Sequence, residues 1–280
     1  MKTLYVSDMD GTLLSTDSRI SSRSAEIITD LTDRGALITV ATARTPATVV
    51  PLLSQTRTTP PAIVMTGSAY WDRGKGTFTD THFVPEKDVV TVLGFCRKHG
   101  IHPFVYVLSP DGTTMDVYHA AATLNKVEEI FYEERCRLKL KRFHLGTPPP
   151  ARALTHTMLL YAMGEGDAIR AAYGQFRGTT ECTVGCYPDI FNQENYSLEI
   201  FPPGIDKAAA IERLKKRLGA DRLVVFGDNL NDLPMLRIAD LAVAVGNALP
   251  EVKEAADIVI EPNYTDSVAR FIEADFSGKL

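Results

Sequence analysis

The chain opens on a short apolar run, Leu4, Tyr5 and Val6 after Thr3, which is interrupted at once by Asp8. A β-prone run of this length, bounded by Gly11, predicts a buried strand at about 3–7 that hands two acids, Asp8 and Asp10, to a loop. Apolar residues then recur at helical spacing, Ala25, Ile28 and Leu31, with serines before them and Gly35 after, and predict a helix over 21–34. A strand at 36–40 runs into the small-residue loop Ala41-Thr42-Ala43-Arg44-Thr45, after which Pro46 can open a helix. A third strand at 62–65 ends in Thr66-Gly67-Ser68, and 70–78 reads as a hairpin around a Gly-rich turn. Strand-like and helix-like runs in alternation predict an α/β fold, a Rossmann-like, mostly parallel sheet covered by helices.

From about Val84 the pattern changes. A helix at 85–99, a hairpin across Ser109-Pro110-Asp111-Gly112, a charged helix at 126–137, a rigid Pro148-Pro149-Pro150 linker, a strand at 157–163, a helix at 167–176 and a strand at 181–186 form an α+β pattern without an acid cluster. We expect an inserted domain over 84–189 and a parent domain formed by 1–83 and 190–280. The parent pattern is read as resuming at 196–201. Next come a helix that Asp206 can cap, with Lys207 in its first turn, strands at 223–226, 241–245 and 258–260, and a C-terminal helix. No internal repeat appears.

Composition narrows the function classes. With 280 residues, 45% hydrophobic and 23% charged, the chain suits two globular domains. Its formal charge of -5 supplies no basic field for nucleic acid or an anionic membrane, so a phosphate ligand would need a metal or local Lys and Arg. The apolar run after Lys2 is too short for a signal peptide and no segment reaches the length of a membrane span. A cytoplasmic protein with no membrane or nucleic-acid partner, a monomer or weak homo-oligomer, is the expectation. Cys96, Cys136, Cys182 and Cys186 lack a second pair at metal-binding spacing and read as structural or free thiols; the six histidines show no triad spacing.

Asp8-Met9-Asp10-Gly11 alone is more simply a turn with a spare acid. Distant residues change that reading. Thr42, Asp228 and Asp232 also follow predicted strands, at the edge where open α/β sheets collect ligands, and the Lys207 helix can approach the same edge. Four clustered carboxylates need a cation, and hard oxygen ligands beside a phosphate suit Mg²⁺.

In that order, Asp8-x-Asp10-Gly11-Thr12, Thr42, Lys207 and Gly227-Asp228-Asn229-x-Asn231-Asp232 resemble the four motifs of the haloacid dehalogenase-like superfamily. The long insertion, Gly204-Ile205-Asp206-Lys207 and Gly246-Asn247-Ala248 are similar to its Cof-type branch, subfamily IIB, with an α/β cap that determines specificity. The resemblance implies that Asp8 is the nucleophile forming an aspartyl-phosphate and, with the Asp10 carbonyl, a Mg²⁺ ligand. Asp10 would be the acid/base serving both half-reactions. Thr42 and the amide of Ala43 would hold phosphoryl oxygens, and Lys207 would neutralise charge. Asp228 would be the side-chain metal ligand, Asp232 a second support of the metal site or an orienter of Lys207, and Asn231 a phosphate contact. Arg44 would meet the leaving group, or be an ordinary surface residue. Trp71 and Tyr106, Tyr118, Tyr132 and Tyr161 read as core. Thr66-Gly67-Ser68 stands where the family has Asn-Gly-Ala, Ala43 where Gly is frequent, and Ser267 where Gly is common; the first weakens inference about specificity.

The implied activity is hydrolysis of a phosphate monoester of a small metabolite, a sugar phosphate or a cofactor phosphate. A phosphomutase of the same branch would use the same acids. A phospho-acceptor signalling domain would gain nothing from Asp10, and a dehalogenase does not need it.

Overall fold

The computed structural model describes residues 2–189, 192 and 194–279. The chain divides into two compact units, Met1–Thr79 with Asp206–Leu280, and Asp80–Ile205.

The first unit begins with β1 (Thr3–Ser7), α1 (Ser22–Asp33), β2 (Leu37–Val40), α2 (Pro46–Leu52), β3 (Ala62–Val64), β4 (Ala69–Asp72) and β5 (Thr77–Thr79). The second unit contains α3 (Glu86–Lys98), β6 (Phe104–Leu108), β7 (Met115–His119), α4 (Lys126–Arg135), β8 (Lys141–Leu145), β9 (Thr157–Glu165), α5 (Gly166–Phe176), β10 (Cys182–Pro188) and β11 (Asn195–Pro203). The first unit resumes with α6 (Lys207–Leu218), β12 (Arg222–Gly227), α7 (Leu233–Arg237), β13 (Leu241–Ala244), α8 (Pro250–Ala255), β14 (Ile258–Val259) and α9 (Ser267–Phe276).

The first unit is built on a parallel five-stranded sheet in the order β14-β13-β12-β1-β2. From β1 the chain moves outward to β2 on one side, and from β12 outward to β13 and β14 on the other. The strand order therefore reverses at β1/β12, and the crevice beyond their carboxyl ends is the place where such sheets bind ligands. Leu4, Val6, Val224, Val225 and Phe226 are buried, as a parallel strand covered on both faces requires. The third strand departs from the expectation of a sheet member. β3 touches the parallel sheet through one bridge, Ala41 with Ile63, and instead opens an antiparallel sheet with β4 and β5.

Tyr5, Arg222 and Asp275 fasten α9 to the two central strands. The Tyr5 hydroxyl donates to Asp275 Oδ2 at 2.7 Å, and Arg222 donates to both Asp275 oxygens at 2.6 and 3.0 Å. Burial pushes the Asp275 carboxyl up, but these donors outweigh it and hold the group below the usual range. An acid with a depressed folded pKa adds stability above its unfolded pKa and loses it as pH falls through the folded one. Asp275→Asn is therefore expected to cost about 1–3 kcal/mol at pH 7. In chemical-denaturation curves that deficit shrinks as the pH is lowered through the carboxylate range.

The second unit carries a six-stranded sheet, β10-β11-β9-β6-β7-β8, antiparallel except where β7 meets β8. Val89 and Val92 of α3 and Ile169, Ala172 and Phe176 of α5 pack with Val105, Leu160, Leu198 and Ile200 on one face. Here a correction is needed: β11, assigned from sequence to the parent domain, lies between β9 and β10. Its apolar alternation gives Leu198 and Ile200 an inward face but does not say which sheet supplies that core. The units accordingly meet in sequence at 79/80 and 205/206, where the sequence pattern had suggested 83/84 and 189/190.

Candidate active site

Asp8 leaves β1 with its amide donating to the Phe226 carbonyl at 3.0 Å, so the ends of β1 and β12 stay paired as each delivers its acid. Residues Met9–Leu13 form one wide turn, closed by the Leu14 amide on the Met9 carbonyl at 2.8 Å. Gly11 makes the turn possible in two ways. Its φ is +77°, and a methyl in place of its hydrogen would overlap the Asp228 carboxylate. Thr12 Oγ1 donates to Asp228 Oδ1 at 2.6 Å.

Lys207 reaches the same place from α6. Asp206 caps that helix by accepting from the Ala209 amide at 2.7 Å. The helix start presses on the loop after β3, where a Cβ at Gly67 would lie 2.5 Å from the Asp206 carbonyl oxygen. Lys207 Nζ then donates to Asp8 Oδ1 at 2.6 Å and to Asp232 Oδ1 at 2.7 Å, and the ammonium is almost wholly buried. The other oxygen of Asp232 accepts the amides of Asp228 and Asn229 at 3.0 and 3.1 Å. Both oxygens of Asp232 are thus engaged in orienting Lys207 and the loop after β12.

The electrostatics follow from crowding. Burial pushes the Asp8 carboxyl up to about 7 against the pull of Lys207, and Asp232 and Asp228 push the same way. Burial also raises Asp228, opposed by the Thr12 hydroxyl. Desolvation would lower Lys207, but Asp8 and Asp232 hold it above its ordinary value. One buried lysine does not offset the three neighbouring acids. Carboxylate oxygens of Asp8, Asp228 and Asp232 lie within 4.8 Å of one another, a hard donor set that could hold a metal ion. The donor set and the crowding fit a divalent cation.

Asp10, two residues after Asp8, is half exposed and gripped by Arg44, whose Nε and Nη2 donate to its two oxygens at 2.7 and 2.6 Å. Thr42 is buried, and its hydroxyl accepts the Arg44 amide at 3.2 Å. Ala41 donates to the Ser7 carbonyl at 2.9 Å, which sets the loop after β2 beside the Asp8 turn. The structure therefore gathers Asp8, Lys207, Asp228 and Asp232 into one cluster and joins Asp10, Arg44 and Thr42 into an adjoining one. Ala43 is exposed on that second loop, and Asn231 is an exposed residue with no hydrogen bond to either cluster among the described residues. Two functional neighbours had not been singled out from sequence. Asn247 Nδ2 donates to the Gly11 carbonyl at 2.8 Å and Asn263 Nδ2 to the Leu14 carbonyl at 2.7 Å, while the Asn263 amide donates to Asn247 Oδ1. Together they brace the turn. Asn247 lay within a quoted motif, but Asn263 carries no local sequence signal.

The sequence profile of the haloacid dehalogenase-like hydrolases matches residues 5–272, nearly the whole chain. The chain belongs to that family. Among curated relatives of this haloacid dehalogenase-like hydrolase, the 5-amino-6-(5-phospho-D-ribitylamino)uracil phosphatase YcsE of Bacillus subtilis is 27% identical over 96% of this chain and 94% of its own. The pyridoxal phosphate phosphatase YbhA of Escherichia coli is 26% identical over 95% of each chain. The fold is shared with a haloacid dehalogenase-like hydrolase from Bacteroides thetaiotaomicron, with a TM-score of 0.80 at 24% identity over 98% of this chain and all of that one. The chain is a phosphatase of the haloacid dehalogenase-like family, as its ordered motifs implied.

Proposed function

We propose that this phosphatase hydrolyses a phosphate monoester of a small metabolite through an aspartyl-phosphate on Asp8, with Mg²⁺ as its metal. The observation that carries this reading is the Asp8–Lys207–Asp232 chain of buried contacts, with Asp228 beside it and Asp10 two residues from the nucleophile. Lys207 holds Asp8 in place and offsets the negative charge that gathers when a phosphoryl group approaches. Asp232 has no exposed surface and acts by fixing Lys207 and the Asp228 loop.

Mg²⁺ held by Asp8, Asp228 and the Asp10 carbonyl would neutralise phosphoryl oxygens and allow an anionic nucleophile to meet an anionic ester. Attack of an Asp8 oxygen on phosphorus breaks the ester bond while Asp10, protonated, gives its proton to the departing alkoxide. Asp10, now a carboxylate, takes a proton from the water that cleaves the aspartyl-phosphate, which regenerates Asp8 and releases inorganic phosphate. The Arg44 fork holds both oxygens of Asp10, so one of them has to be released before Asp10 can serve the leaving group. In this reading Thr42 and the amide of Ala43 hold phosphoryl oxygens. Asn231 reaches the phosphate in this reading only if its exposed side chain turns inward.

The two relatives act, by their names, on a phosphorylated uracil derivative and on pyridoxal phosphate. Both are small phosphate monoesters, and that substrate class is assigned to this chain. The test is metal exchange. Chelated protein is expected to lose at least about 100-fold in turnover of an aryl phosphate and to regain it with added Mg²⁺. Full turnover in the chelated protein would refute the metal assignment.

A further inference from the structure

The second unit holds a cavity of about 440 Å³ on the helix-covered side of its sheet, and every residue that lines it lies between Val90 and Leu154. α3 contributes Val90, Leu93, Gly94 and Arg97 to the lining. Pro148 and Pro149 contribute a wall with no amide hydrogen to donate. That wall is fixed at both ends. Before it, the Gly146 and Thr147 amides donate to the Ala121 and His119 carbonyls, each at 3.0 Å, and after it the Ala153 amide donates to the Pro150 carbonyl at 2.8 Å. A ligand would therefore meet a site that is already ordered.

Three features of the cavity serve no packing purpose. Gly94 sits inside α3, where a glycine weakens the helix, and a Cβ added to it would meet nothing within 4 Å. Neither a turn nor a close approach requires glycine there, so what it achieves is to leave the space open. Val90, at 54% exposed, offers an apolar side chain on a stretch whose other exposed residues are Glu86, Lys87 and Thr91. Arg97 is exposed and makes no hydrogen bond or ion pair among the described residues. No acid lines the cavity among the described residues. Two other cavities of this unit carry Glu128 and Glu165 in one case, and Glu134 and Asp189 in the other. In a chain of formal charge -5, an apolar hollow whose one charged lining residue is an unpaired guanidinium is complementary to an anion.

We propose that this cavity binds a small amphiphilic anion, an apolar body ending in one carboxylate. The body fills the space beside Gly94, against Val90, Leu93 and the prolines, and the carboxylate accepts from the Arg97 fork. The volume is that of a small-molecule site. Binding here goes beyond the phosphatase reading and does not depend on it.

Titration calorimetry of the full chain with octanoate, 1-octanol and octylammonium tests the site without turnover. Octanoate is expected to bind saturably and at least about tenfold more tightly than octylammonium. Arg97→Gln should weaken octanoate at least about tenfold and leave octanol unchanged. Gly94→Leu should abolish binding of both by filling the cavity, while its melting temperature holds or rises because leucine favours a helix. Absence of saturable octanoate binding by the wild type, or undiminished binding by Gly94→Leu, overturns the site. Equal affinity for octanoate and octylammonium, or an unchanged octanoate affinity in Arg97→Gln, overturns the assignment of an anion. If Gly94→Leu does not fold, the ligand series on the wild type and on Arg97→Gln decides in the same way. Sedimentation closes off the other occupant: a wild-type dimer that Gly94→Leu converts to monomer would mean that a second copy fills the cavity, and would overturn the proposal.

Discussion

Asp8→Asn is expected to lower turnover of any phosphate monoester by at least about 10³-fold, because the carboxamide cannot displace the leaving group from phosphorus. The fold should not suffer. Asp8 is an acid whose folded pKa lies above its unfolded one, so in the metal-free protein it removes stability as pH rises from the ordinary carboxylate range toward about 7. Asparagine removes that dependence. At pH 8 and without metal the variant should therefore melt no lower than the wild type, which separates loss of chemistry from loss of structure. An active Asp8→Asn protein would remove the nucleophile from the account.

Lys207→Met should affect both chemistry and stability. Among the described residues Lys207 is the one cation paired with the buried oxygens of Asp8 and Asp232, and without it two acids face each other across the space it filled. In chelated protein the loss is expected to be about 3–5 kcal/mol, the scale for breaking a buried ion pair from one side. Turnover should fall by about 10²–10³-fold even where the protein is folded and Mg²⁺ is present, because charge compensation at the phosphoryl group is lost. Adding Asp232→Asn to Lys207→Met should recover part of the stability and none of the activity. Denaturation curves and turnover for both single variants and the double variant check this. A stable, active Lys207→Met protein would mean that the lysine is only a packing element.

The catalytic unit could be read from the sequence because its acids sit at the ends of apolar strands. β1 and β12 are uninterrupted buried runs, and each ends at its acid, Asp8 or Asp228, as a parallel sheet with its ligand edge at the carboxyl ends requires. What could not be read was contact between residues distant in sequence. Nothing local to Arg44 says that it holds Asp10, because the two are separated by a helix and a strand and meet only when β1 and β2 pair. Asp232 looked like a metal ligand or an orienter of Lys207, and the hydrogen bonds on both its oxygens favour the second role. Asn263 was invisible because an asparagine after a proline is read as a turn, whereas here its side chain braces the catalytic turn. β11 was misplaced for a different reason: alternation fixes which side of a strand is buried, and the choice of sheet belongs to the strands beside it.

Phosphate is expected to pass through Asp8, where it can be trapped. In Asp10→Asn the group that activates water is missing, so the second half-reaction should slow more than the first with an aryl phosphate, whose leaving group needs little protonation. Acid-quenching this variant during turnover and mapping the phosphoryl group by peptide mass spectrometry should find it on the peptide that carries Asp8, and nowhere on the Asp8→Asn protein. A phosphoryl group on another residue, or Asp10→Asn protein that turns over substrate without ever carrying one, would contradict the account.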